Sequence, residues 1–139
     1  MENNRIKYVT FVLVCLVLWD ITLTIIGYSF PDFWFSIFHG ADYIDPQGYL
    51  PRAAGNWLMF AVLQFIALIK WRQQPVWLAM VAAVRLSDAL TDWSCLYFSE
   101  TVTMMGKPGL FASGVINLML GWFFYWAWAK SEGKKFSIL

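Results

Sequence analysis

The chain has 139 residues, of which 60% are hydrophobic, 19% aromatic and only 14% charged, and its mean hydropathy is +0.56. These proportions are those of a membrane protein and leave little chain for a soluble domain. A formal net charge of +1 argues against nucleic acid as a partner, because phosphate binding calls for a basic surface.

Four apolar stretches, approximately 8–28, 53–69, 75–97 and 110–129, are long enough to cross a hydrocarbon core of about 30 Å at about 1.5 Å per residue. The expected fold is all-α: an integral membrane four-helix bundle forming one domain over 1–139, with a short interfacial helix in the outer loop.

Arg5 and Lys7 precede the first stretch in the manner of a signal peptide, but the apolar run is too long and no small-x-small site follows it. Cys15 has Val14 before it, where a lipidation signal calls for a small residue. Cys15 and Cys95 belong to opposite halves of the membrane, so a bridge between them is not expected. Both are read as buried thiols acting as small hydrophobes.

The segment 30–52, FPDFWFSIFHGADYIDPQGYLPR, begins with a cluster of aromatics behind Pro31 and Asp32. That is a plausible helix start for an amphipathic helix along the outer leaflet, and DPQGYLP then turns the chain back. Trp71, Trp77, Trp122, Phe123, Phe124, Tyr125, Trp126 and Trp128 gather toward one membrane surface, and Trp57, Trp93, Tyr97 and Phe98 toward the other. The expectation is two aromatic belts. Ala79 and Ala83 on the third span, with Ser113, Asn117 and Gly121 on the fourth, are expected to be close-packing faces.

Basic residues are retained on the cytoplasmic side during insertion. In a four-span arrangement Arg5, Lys7, Lys70, Arg72, Lys130, Lys134 and Lys135 share one side, against Arg52 and Lys107 on the other. Both termini are therefore expected in the cytoplasm. Four closely spaced helices with very short loops resemble, in architecture, small bacterial membrane proteins of the DoxX-like kind, with no shared motif from which residue roles follow. A bacterial inner membrane is the expected location.

The chemistry of the chain lies in its intramembrane polar residues. Counting the helical rise from the cytoplasmic side, Asp20 lies about 18 Å deep, Arg85 about 15 Å and Asp88 about 20 Å. Arg85, Asp88 and Asp92 share a helix face at i, i+3, i+7, and Gln64 and Asn117 fall at mid-membrane, with Asn56 nearer the surface. Charges at this depth cost about 2.5 to 3.5 kcal/mol each on insertion scales, so they turn inward and find partners. One account is an Arg85 pairing with Asp20 or Asp88 that holds four helices in register. The other starts from charge: with Asp20 and Asp88 facing one permanently charged guanidinium, the surplus acid calls for a proton, for Arg52 from the loop, or for a bound cation or cationic ligand. Trp19 and Trp57 are the aromatics placed to line a pocket beside these residues.

His39, Asp42 and Asp45 recur at three-residue intervals in the outer loop and are weak metal-ligand candidates, since a metal site needs a full coordination set and supporting partners. The zinc Cys/His pattern, a phosphate-binding glycine loop, a GxSxG elbow and a HExxH helix are all absent from the sequence. No catalytic residue is assigned, and the sequence leaves the cofactor unknown. The leading expectation is a non-catalytic accessory subunit or assembly factor of a larger membrane complex, partnered by the bilayer and by other subunits or copies of itself. The second is an intramembrane binding protein or enzyme for an amphipathic lipid, sterol-like compound or quinone; the third is a component of a proton or ion pathway.

Overall fold

The computed structural model describes residues 2–40, 42–98, 100, 102–104 and 106–133, so Lys134 and Lys135 lie outside the described residues. The described chain is helical and without strands: α1 Glu2–Ser29, α2 Pro31–Phe38, α3 Tyr49–Lys70, α4 Val76–Phe98 and α5 Gly106–Ser131. Three helices are long and apolar enough to cross a membrane: Asn4–Ser29 within α1, Tyr49–Lys70 and Gly106–Ser131. At 23 residues α4 matches them in length, and it is set apart by Arg85, Asp88 and Asp92.

The four long helices pack together through two extensive pairings, α1 with α3 and α4 with α5, joined where α3 meets α4. Short connections enforce this order. Residues 71–75 turn α3 into α4 with Gln73 and Gln74 donating to the Lys70 carbonyl at 3.0 and 2.9 Å. The bundle end that carries this turn is called the hairpin end below, and the opposite end, covered by α2, the α2 end.

Toward the hairpin end lies a hydrophobic core in which Val9, Leu13 and Leu16 of α1 meet Ala67, Trp71, Leu78, Val81, Ala82, Phe124 and Ala127. Trp71 and Phe124 are buried here and so do not belong to an aromatic belt. The close approaches of α4 and α5 are made by glycine. Gly121 sits against Leu86 and the Ala82 carbonyl, and Gly114 lies so near the Trp93 indole that a Cβ has no room. The residue that packs on Gly121 is thus Ala82, whereas Ala79 is half-buried and Ala83 exposed. Cys15 and Cys95 are free thiols, exposed rather than buried. In a helix whose two surroundings, lipid and neighbouring helices, are both apolar, residue type does not reveal the direction a side chain takes.

The α2 end is built from caps. Pro31 opens α2, where a missing N–H costs nothing. Thr103 then serves two helices at once: its hydroxyl donates to the Ile37 carbonyl at the end of α2 and accepts from the Gly106 amide at the start of α5, at 2.9 and 2.8 Å. Its own amide donates to Phe38 O at 2.9 Å. Trp34 stacks on Phe38 and meets Trp57 at a tilt, at ring separations of 4.4 and 5.0 Å. Gly48 precedes α3 in the left-handed region at φ 69°, a conformation for which glycine carries no steric penalty. The Asp45 carboxylate accepts from the Tyr49 and Leu50 amides at 2.9 and 2.7 Å, satisfying two of the four N–H groups that every helix start leaves open.

Candidate functional site

Between these ends lies the polar cluster. Asp20 interrupts the apolar face of α1 and is 1% exposed. Its Oδ2 is the meeting point of two donors: Gln64 Nε2 from α3 at 2.5 Å and Arg85 Nη2 from α4 at 2.6 Å. Gln64 is oriented by its own helix, since Nε2 also donates to the Phe60 carbonyl at 2.7 Å. Thr24, one turn after Asp20, donates to the Asp20 carbonyl at 2.7 Å and approaches Ala54 O of α3 at 3.4 Å.

The Arg85 guanidinium is 2% exposed, and its two terminal nitrogens go to different helices. Nη2 reaches α1, while Nη1 donates to Asn117 Oδ1 of α5 at 3.2 Å and lies 3.6 Å from Asp88 Oδ2. Its central carbon stands over the Phe60 ring, 5.5 Å from the centroid, in the range of a cation–π contact. This is a brace rather than a two-pronged grip on one carboxylate. Asn117 carries the network onward, with Nδ2 3.0 Å from Asp88 Oδ2, 3.4 Å from Asp92 Oδ2 and 3.4 Å from Ser113 Oγ. One amide has two hydrogens for these three neighbours, and Ser113 in turn hydrogen-bonds Asp92. Burial relaxes along the series toward the α2 end: the Asp88 side chain is 16% exposed, and Asp92 is half-buried.

The structure therefore brings Asp20, Gln64, Arg85, Asp88, Asp92 and Asn117 into one network with a contribution from every long helix. It leaves others out. Asn56 is exposed, Arg52 stands exposed in the first turn of α3, and Trp19 is 60% exposed. Trp57 is turned to α2, against Trp34. Phe60 and Thr24 are members the sequence reading passed over, although each sits one turn from a polar residue it serves: Phe60 before Gln64, Thr24 after Asp20.

The three outer-loop residues have separate surroundings. His39 closes α2, its amide donating to Phe35 O and its ring 4.8 Å from that of Phe35. Asp42 is exposed, and the Asp45 carboxylate is committed to the start of α3. Desolvation raises the affinity of Asp45 for a proton, but the Leu50, Tyr49 and Gly48 amides and the Tyr43 hydroxyl together hold its carboxyl below the usual carboxylate range. Tyr43 is pushed up in turn, by desolvation and by the Asp45 charge. Among the described residues no group of three or more His, Cys, Asp or Glu is placed to hold a metal ion.

An open groove of about 450 Å³ lies at the α2 end of α4 and α5, lined by Trp93, Leu96, Tyr97 and Phe111. Its lining is apolar, and none of the cluster residues belongs to it. No protein-family model, curated protein or solved structure matches this chain.

Proposed function

We propose that this chain is a four-span membrane protein of the bacterial inner membrane, with both termini cytoplasmic, that acts as a non-catalytic accessory subunit or assembly factor within a larger membrane complex. The observation that carries the reading is the burial of the polar cluster between the four long helices. Asp20, Gln64 and Arg85 are almost without exposure and bond chiefly to one another and to Asn117, an arrangement suited to holding helices in register rather than to admitting a substrate. Polar contacts between membrane helices average only about 0.6 kcal/mol, so specificity of packing is the better reason for the cluster.

Treating α4 as a fourth span follows from its 23 residues and from charged groups that are braced inward. Aromatic and aliphatic side chains exposed on all four long helices, among them Phe11, Trp19, Phe65, Leu90, Met119 and Trp122, supply a surface for lipid and for neighbouring subunits. The cytoplasmic placement of the termini rests on the Lys and Arg bias; a fluorescent protein fused after residue 139 is expected to be bright, and a dark fusion together with an active periplasmic phosphatase fused at the same position overturns it.

The functional test is extraction from the native membrane in mild detergent, followed by an absorption spectrum and a mass-spectrometric inventory of what stays bound. A reproducible set of partner subunits is expected. A lone protein carrying one lipid or quinone species contradicts the accessory role and favours the second reading, an amphipathic-ligand site, for which the partial exposure of Asp88 and Asp92 is the specific support.

A further inference from the structure

Two atoms inside the polar cluster lack a hydrogen-bond partner among the described residues: Gln64 Oε1, an acceptor, and Arg85 Nε, a donor. Both belong to side chains more than nine-tenths buried. Neither is explained by a misplaced amide, because Gln64 Nε2 already faces two acceptors, Asp20 Oδ2 and Phe60 O, and reversing it sets oxygen against oxygen. A buried polar group without a partner costs about 1 to 3 kcal/mol, and two of them in one cluster would weaken the brace they belong to.

The two orphans belong to side chains that meet at one atom. Gln64 Nε2 and Arg85 Nη2 converge on the same Asp20 oxygen, and each orphan atom is one carbon away from the nitrogen that makes that bond. Covalent geometry thus keeps both within about 5 Å of Asp20 Oδ2. One is a donor and the other an acceptor, so a partner that serves both accepts from the first and donates to the second. A metal cation only accepts lone pairs and an anion only accepts hydrogens; water does both.

We infer that the cluster is a hydrated site in which an internal water molecule accepts from Arg85 Nε and donates to Gln64 Oε1, with a carboxylate lone pair of Asp20 available as a third contact. Two to four polar partners are what an ordered internal water requires. Its way in is from the α2 end, where the network passes through Asn117 to Asp88, Ser113 and the half-buried Asp92. At the hairpin end the core is filled by Leu13, Leu78, Val81 and Phe124.

The test is water-edited solid-state NMR of the protein in lipid bilayers, reading magnetisation transfer from water to the arginine Nε–H. Of the four arginines in the sequence, Arg5, Arg52 and Arg72 lie outside the cluster, so the triple variant Arg5→Lys, Arg52→Lys, Arg72→Lys leaves Arg85 as the only signal without touching the site. The expected result is a narrow Arg85 Nε–H resonance that gains intensity from water and loses that transfer in Gln64→Leu. An Arg85 resonance that is present but receives nothing from water overturns the inference, as does transfer that persists unchanged in a folded Gln64→Leu variant. A dry result leaves the accessory-subunit proposal standing, since registry does not depend on the water.

Discussion

The two halves of the bundle solve the same problem by different means. At the hairpin end, Leu13, Leu78, Val81 and Phe124 fill the space between helices with apolar bulk; toward the α2 end, Asp20, Gln64, Arg85 and Asn117 join helices through named atoms. In lipid, apolar contact between helices brings no solvent-exclusion gain, so the apolar half is held by shape alone and tolerates conservative exchange. The polar half has the opposite character: its net contribution is small while it is complete, and the loss of any one partner strands the rest.

The largest expected effect is therefore Arg85→Leu, which strands Asp20 and removes the brace among α1, α4 and α5. A loss of about 3 to 5 kcal/mol is expected, read by steric-trap unfolding in bicelles; a loss below that of any apolar truncation would reverse the contrast between the halves. Phe124→Ala, at the centre of the apolar half, is expected to cost about 3 kcal/mol through the cavity it leaves, whereas Phe124→Leu should cost much less. The same assay ranks all three.

Smaller effects come from the caps of the α2 end. Thr103→Val removes a hydroxyl shared by the end of α2 and the start of α5, with an expected cost of about 1 kcal/mol and faster amide exchange confined to residues 37–38 and 106–107. Asp45→Ala uncaps α3, and its effect depends on pH. Because the folded carboxyl titrates below its unfolded value, its stabilising contribution is complete above the unfolded pKa and disappears as pH falls through the folded one. The stability difference between wild type and Asp45→Ala is thus expected to be constant near neutrality and to shrink below about pH 4; a difference that grows on acidification would refute the cap.

The levels of the polar residues were readable from the sequence because the helical rise is regular: counting turns places Asp20, Arg85, Asp88 and Asn117 at one depth, and the structure has them meeting. The start of α2 at Pro31 was readable for a similarly local reason. Direction around the helix axis was not. Ala82 rather than Ala79 or Ala83 faces Gly121, both thiols point outward, and Trp71 turns into the core, because apolar residues carry no mark that separates a lipid-facing side from a helix-facing one. The Thr103 clasp was hidden for another reason: it joins residues 66 positions apart, and no local pattern announces such a contact.

The Asp20–Arg85 ion pair is expected to act as one unit that locks α1 to α4. A double-mutant cycle over Asp20→Leu, Arg85→Leu and the pair together, measured by unfolding in bicelles, tests it directly. Each single variant is expected to be severely destabilised and the double variant to recover much of the loss, since removing both charges leaves neither stranded. Additive losses, with the double variant worse than either single, would contradict it and show that the two side chains contribute independently.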